Sequence, residues 1–311
     1  MLVLSREDVQ RLLDLNALID RLAGAFAELS AGRASVPPRV ASVVPERGLL
    51  AAMPGYVSGT LETKLVSLFP ANEGSGVPTH QALIAVFDPD TGSPTALLDG
   101  TYITAMRTAA ASALATRLLA REDARVLAVL GAGVQARSHL AALPLVRTFD
   151  EVRLASRTAE HGRDLAAEVG ATPVRSFEDA VRGADVVCAC THSSQPVLRR
   201  EWLGAGTHVT SVGASQEGPE LDRETVSAGV LAVESRVAFE PPPAGAVELQ
   251  GLDPDAAVEL GELVAGSREG RTADDEITVY KSMGHAVEDA AAAALVLEAA
   301  LAHGAGTAVE L

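Results

Sequence analysis

Residues 125–136 read Arg125-Val-Leu-Ala-Val-Leu-Gly-Ala-Gly-Val-Gln-Ala136. A short apolar run stops at Gly131, Gly133 and Ala136 complete a G-x-G-x-x-A pattern, and Ala136 to Leu143 can continue as a helix. Strand, tight glycine turn, helix is the order a dinucleotide-binding unit requires. Gly131 permits the sharp turn. Gly133 has no Cβ, so the backbone can approach a pyrophosphate, and Ala136 lets the helix sit close to the strand. Val134 and Gln135, next to the second glycine, are candidate cofactor contacts, and the helix N-terminus offers free N–H groups and a positive dipole end to phosphates.

Downstream, strands alternate with helices. Val152–Ala155, Ala184–Ala189, His208–Val212 and Val230–Val233 read as strands, which predicts a parallel sheet covered on both faces. Upstream the pattern differs. Ser5 to Ala31 reads as two helices, the second with the apolar stripe Leu18, Leu22, Phe26, Leu29 and ended by Gly32. Arg39–Val44, Leu49–Met53, Lys64–Phe69, Gln81–Asp88 and Thr95–Leu98 then read as strands of a mostly antiparallel sheet, with a hairpin loop at Asp88–Pro94. A long alanine-rich helix, Ile103 to Leu119, leads out of it. The fold class expected is α/β: a mostly antiparallel α+β domain over 1–118 for substrate binding and dimerisation, and a Rossmann domain over 119–289. The apolar helix Val287–Leu301, ended by Gly304, is expected to return with residues of about 290–311 to the first domain.

The 311 residues suffice for two cores, and a net charge of −16 argues against nucleic acid or an anionic membrane as partner. No apolar run reaches 18 residues, so no membrane span is expected. Cys188 and Cys190 read as buried small residues; two cysteines and no recognisable signal peptide predict a reducing cytoplasm. The histidines show no metal spacing and the cysteines lack partners at zinc-site spacing, so no metal is expected.

The second strand of a dinucleotide unit commonly ends in an acid that binds the ribose 2′-OH of NAD. Here Ser156-Arg157-Thr158 stands at that tip, and the next carboxylate is Glu160, inside the following helix. A hydroxyl and a guanidinium fork suit a 2′-phosphate, which favours NADP(H) over NAD(H).

Three cations stand out in the first region: Arg39, Lys64 in Glu62-Thr-Lys-Leu-Val66, and Arg107 in Ile103-Thr-Ala-Met-Arg-Thr-Ala-Ala110. An arginine fork grips a carboxylate, and a lysine beside other cations exchanges protons near neutral pH. Their context, with Pro70-Ala-Asn72, Gly76-Val-Pro-Thr-His-Gln81, Asp90-Thr-Gly-Ser-Pro94, Leu98-Asp-Gly100, Gly131–Ala136, Gly206-Thr-His208, Val212-Gly213 and Lys281-Ser-Met-Gly-His-Ala-Val-Glu-Asp289, resembles the ornithine cyclodeaminase/mu-crystallin family in motif and order over about residues 37–300. The resemblance implies a homodimer and an NAD(P)-dependent oxidoreductase acting on the C–N bond of a small imino or amino acid. It implies that Arg39, Lys64 and Arg107 hold the substrate carboxylate, that Lys64 is the acid/base, and that Thr79 lines the pocket. Thr108, Gln135, Ser156, Arg157, Thr191, Val212 and Ser282 would line the cofactor.

One departure bears on the reaction. Ornithine cyclodeaminases carry an aspartate two residues after the Val-Gly glycine; here the turn reads Val212-Gly213-Ala214-Ser215, and Gln216–Leu221 is about one residue short of the common pattern. Ser215 cannot be a carboxylate base, which leaves Glu217 and Glu220 as the available substitutes. Family members with a neutral residue here reduce cyclic imino acids or dehydrogenate amino acids. The alternatives are a cyclodeaminase using NAD+ catalytically and a non-catalytic NADP(H)-binding protein. His80 and His285 read as structural, the latter ordering a helix start.

Overall fold

The computed structural model describes residues 1–72, 74–213 and 218–310. In chain order the elements begin β1 (Leu2–Leu4), α1 (Arg6–Leu12), α2 (Leu15–Ser30), β2 (Val40–Val44), β3 (Gly48–Val57), β4 (Thr60–Leu68), β5 (His80–Phe87), β6 (Pro94–Asp99) and α3 (Gly100–Leu119). Next come β7 (Val126–Leu130), α4 (Val134–Ala142), β8 (Glu151–Ala155), α5 (Ala159–Val169), β9 (Thr172–Pro173), α6 (Phe177–Val181), β10 (Val186–Ala189), β11 (His208–Ser211), α7 (Arg223–Val226), β12 (Val230–Val233), β13 (Val258–Glu259), α8 (Leu260–Val264) and β14 (Thr278–Lys281). The chain closes with α9 (Ala286–His303) and β15 (Thr307–Ala308).

Two compact units result: Met1–Arg107 with His285–Leu311, and Thr108–Gly284. The first boundary therefore falls inside α3, upstream of the 118/119 division expected from the sequence, and the second falls at the start of α9.

The first unit is a seven-stranded sheet in the order β15-β1-β6-β5-β4-β3-β2, antiparallel except for β1 beside β6. α9 packs on β3, β4 and β5, and α2 packs on α9. The α2 stripe Leu18, Ile19, Leu22 and Phe26 is buried. Alanines line much of α9, so its backbone lies close to the sheet; Ala290, Ala292 and Ala293 are fully buried. Gly304, at φ +62, ends the helix in the left-handed conformation that an L-residue resists. Alternation along β4 sends Glu62, Lys64 and Val66 inward and leaves Leu65 exposed.

The second unit is an eight-stranded parallel sheet, β13-β12-β14-β11-β10-β7-β8-β9. β7 has β8 on one side and β10 on the other, so the order reverses at β7. In such sheets ligands bind beyond the carboxyl ends of the strands at that reversal. Sequence reading missed β1, β9, β13, β14 and β15. Four of these have only two or three residues, too few for a period-two pattern to register. β14 was legible in the β-branched and aromatic run Ile277-Thr-Val-Tyr280.

Candidate active site

The first unit gathers a buried set of charges. Lys64 and Arg107 are 1% and 4% exposed, and Glu288 and Asp289, in the first turn of α9, are fully buried. Lys64 Nζ stands 2.7 Å from Asp289 Oδ2. Arg107 donates from Nε to Asp289 Oδ1 at 3.0 Å and from Nη1 to Glu288 Oε2 at 2.8 Å. Glu288 also accepts from the His285 backbone N–H at 2.8 Å, so His285 stands at the N-cap of α9. Two cations and two carboxylates thus neutralise one another in an environment where any one alone would be strongly destabilising.

Burial, and next the Arg107 charge, pull the Lys64 ammonium down to about 8 against the attraction of Asp289. Burial pushes Asp289 up, but Arg107 and Lys64 outweigh it and hold it below the ordinary aspartate value. Burial, then Lys64 and Arg107, lower His80 to about 4; burial, then Arg39, lower His285 to about 4. Both imidazoles are neutral at pH 7. Arg39 lies half-buried just before β2, and its charge reaches His285. Thr79 is exposed just before β5, with its carbonyl accepting from the Phe69 N–H at 2.8 Å. Lys64 and Arg107 are therefore brought together through Asp289. Sequence reading gave Glu288 and Asp289 no role beyond their motif, although a Glu-Asp pair opening an otherwise apolar helix is a signal that cations meet it.

In the second unit the expected cofactor positions share one edge. Gly131, Ser156, Thr191, Val212 and Ser282 follow within two residues of the carboxyl ends of β7, β8, β10, β11 and β14. Gly131 has φ +119, and a Cβ there would stand 2.6 Å from the Cys190 carbonyl oxygen, so no side chain fits. Gly133 is the N-cap of α4 and supplies no side-chain cap, and nothing lies within 4 Å of where its Cβ would be. The first turn of α4 therefore starts without a side-chain cap, and the space beside Gly133 is open. The Gln135 side-chain oxygen is buried with no hydrogen-bond partner among the described residues. The uncapped helix start and the room for a close approach fit a dinucleotide pyrophosphate; the Gln135 oxygen is an acceptor and would instead suit a donor such as a ribose hydroxyl. Arg157 and Thr158 are exposed beyond β8; Val134 is exposed and Thr108 is buried in α3.

Two buried glutamates fasten this edge. Glu220 Oε1 accepts from the Thr191 N–H and hydroxyl at 2.6 and 2.7 Å, and Oε2 accepts from the Ser211 hydroxyl and the Gly213 N–H, both at 2.7 Å. Glu234 Oε1 accepts from the Ser282 hydroxyl and from the Met283 and Gly284 N–H groups. Glu220 is therefore a clamp on the ends of β10 and β11, with both of its carboxyl oxygens engaged. Ser215 and Glu217 lie outside the described residues.

The fold also supplies a partner that spacing along the sequence had not offered to the cysteines. His139, Cys188 and Cys190 are buried with their ligand atoms within 4.8 Å of one another. His139 places Nδ1 2.7 Å from the Gln135 carbonyl and Nε2 2.9 Å from the Ser112 hydroxyl, so both ring nitrogens are engaged. The two sulfurs are 3.2 Å apart. On one tetrahedral zinc they would stand roughly 3.7 Å apart, given Zn–S bonds of about 2.3 Å. The cluster is a hydrogen-bonded core beneath the glycine turn.

The sequence profile of the ornithine cyclodeaminase/mu-crystallin family matches residues 1–304. This chain belongs to that family. It is 42% identical over 305 residues to the ketimine reductase mu-crystallin of Mus musculus, covering 95% of this chain and 96% of the relative. Among solved structures, the Δ1-pyrroline-2-carboxylate reductase of Thermococcus litoralis, in complex with NADH and L-proline, superposes with a TM-score of 0.94 at 38% identity, covering 99% of this chain and 100% of that one. An archaeal alanine dehydrogenase dimer with bound NAD superposes at 0.89 with 32% identity, covering 100% and 99%. Among the described residues, no helix is long and apolar enough to cross a membrane.

Proposed function

We propose that this chain reduces the C=N bond of a small imino acid carrying a carboxylate beside the imine carbon, with NADPH as its preferred coenzyme. The chain is an NAD(P)-dependent oxidoreductase of C–N bonds. The observation that carries the reading is the Lys64 ammonium, buried, held by Asp289 and pulled to about 8, in a position to exchange protons at physiological pH. Arg39 supplies a fork that orients the substrate carboxylate, and Arg107, whose Nε and Nη1 are held by Asp289 and Glu288, adds its charge. Lys64 delivers a proton to the substrate nitrogen, and Asp289 keeps the ammonium in place before and after. The nicotinamide coenzyme, when bound, supplies the hydride that completes the new C–H bond.

Gly131, Gly133 and the first turn of α4 would hold the pyrophosphate. Ser156 and Arg157 would hold the 2′-phosphate; Arg157 is exposed and its side chain is not spent on a carboxylate among the described residues. The solved relatives carry NADH and NAD, so this preference is a property of the strand tip in this chain. Cyclodeamination needs a free carboxylate base near the Val212-Gly213 turn, and Glu220 already accepts four hydrogen bonds there.

The active form is a homodimer in this reading. Val40, Ala52, Leu65 and Leu83 stand in cross-strand register over β2, β3, β4 and β5, on the face of the sheet opposite the inward Lys64. Val40 is 66% and Leu83 49% exposed, so the row offers apolar surface for a second copy. A screen of cyclic imino acids, and of keto acids with amines, by nicotinamide absorbance tests the reaction. Steady NAD(P)H oxidation with at least one imine is expected; none with any would overturn it.

A further inference from the structure

One ionisable group of the first unit is left over by the charge pairing. Glu62 and Lys64 alternate along β4 and point to the same face of the sheet. Glu62 is 1% exposed, and neither carboxyl oxygen has a hydrogen-bond partner among the described residues. The residue facing it across β3 is Gly55. A Cβ on Gly55 would stand 3.0 Å from Glu62 Oε1 and 3.2 Å from Ala286 Cβ, so the missing side chain is what makes room for the carboxyl. Ala286 opens α9 and lies one turn before Asp289.

The charged groups around this pocket come from every neighbouring element: Lys64 on β4, Arg107 on α3, and Glu288 and Asp289 on α9. His80 on β5 and His285 before α9 are neutral at pH 7, and Arg39 lies before β2. Lys64 pairs with Asp289, and Arg107 with Asp289 and Glu288. A charged Glu62 would be a third carboxylate in a buried set whose two cations are already matched. Its stable form there is the neutral acid, which keeps a proton within the cluster.

We propose that Glu62 is the proton reserve for Lys64: once Lys64 has protonated the substrate nitrogen, the Glu62 carboxyl proton restores the ammonium. This rests on the reading that the chain reduces an imine at Lys64. In the first transfer a Lys64 N–H bond breaks and a substrate N–H bond forms; the hydride for the new C–H bond would come from a bound reduced nicotinamide coenzyme. In the second, once the neutral Lys64 amine has left Asp289 and turned toward Glu62, a Glu62 O–H bond breaks and a Lys64 N–H bond forms. The Glu62 carboxylate then regains its proton from water between turnovers. Asp289 cannot serve in this way, because Arg107 and Lys64 hold it as the carboxylate. Burial first and the Asp289 charge second push Glu62 up, and burial first pulls Lys64 down, so the proton affinities of the two groups are drawn toward one another. Glu62 touches no substrate atom in this scheme and acts through Lys64.

Glu62→Gln is the test, because the amide has the size and neutrality of the protonated acid but no proton to give. Against the wild-type enzyme, kcat is expected to fall tenfold or more, with KM for the imino acid and Kd for NADPH within twofold. The solvent deuterium isotope effect on kcat is expected to rise, and the alkaline limb of the kcat profile to simplify to the titration of Lys64 alone. Glu62→Asp, which keeps the proton but shortens its reach, is expected to recover part of kcat. Infrared spectroscopy of the free protein at pH 7.5 provides a readout without turnover: a protonated buried carboxyl band present in the wild type and lost in Glu62→Gln. An unchanged kcat and pH profile in Glu62→Gln, or no such band in the wild type, would overturn the relay while leaving imine reduction intact. A wild-type protein that oxidises NAD(P)H with no imine would instead overturn the reaction, and the relay with it.

Discussion

The two units place different chemistry at their candidate sites, although each also buries a lysine–carboxylate pair, Lys64–Asp289 in the first and Lys281–Glu248 in the second. In the first, ionised side chains are buried, and Lys64, Arg107, Glu288 and Asp289 are tolerated only because each meets an opposite charge. In the second, the carboxyl edge of the parallel sheet offers backbone amides, a bare glycine N-cap and hydroxyls, with charged clamps such as Glu220 and Glu234 tied into the protein behind them. The first arrangement is suited to moving a proton, since a buried ammonium is easily shifted toward neutrality. The second is suited to holding a polyanion, since fixed dipoles accept phosphates without a titration of their own.

That contrast is broken most sharply at Lys64. Lys64→Met keeps much of the buried volume and leaves Asp289 paired with Arg107. The expected result is a loss of ~10²–10⁴ in kcat, with NADPH binding by fluorescence titration unchanged. A kcat within a few-fold of the wild type would remove Lys64 from the proton path.

The two arginines come next, because the structure separates them. Arg107→Ala strips two buried carboxylates of a partner and should cost ~3–5 kcal/mol of stability in denaturant unfolding, along with a higher KM. Arg39→Ala should raise KM with a smaller loss of stability, since Arg39 is half-buried whereas Arg107 is 4% exposed. Equal stability losses would mean the two residues share one structural task.

The smallest effect is expected in the second unit. Arg157→Ala should weaken NADPH by ~1.5–3 kcal/mol for one lost charged hydrogen bond and leave NADH nearly unaffected. Equal changes for both coenzymes would mean that the tip of β8 does not read the 2′-phosphate.

The same contrast explains what was legible in the sequence. The glycine turn is local: Gly131, Gly133 and Ala136 sit within one strand–helix junction, so spacing alone carries their meaning. The alternation of strands and helices after residue 125 exposed the parallel sheet in the same way. The cluster in the first unit is not local. Asp289 reaches Lys64 only after the chain has passed through the whole second unit, and no period connects them. Resemblance to a family named Lys64 and Arg107 but was silent on what neutralises them. Glu62 had a readable signal: a carboxylate two residues before a lysine, in a strand whose inward face is otherwise apolar. His139 could not be joined to Cys188 and Cys190 by spacing, because helix α4 and strand β10 meet only in the folded sheet.

The central claim is that hydride leaves the coenzyme for good, one equivalent for each imine reduced. The most direct measurement follows NAD(P)H oxidation and ammonia release together, first with Δ1-pyrroline-2-carboxylate and NADPH, then with L-ornithine and a trace of NAD+. The account predicts stoichiometric NADPH consumption and proline formation in the first reaction, and negligible ammonia in the second. Robust ammonia and proline from ornithine, with no net change in coenzyme, would contradict it.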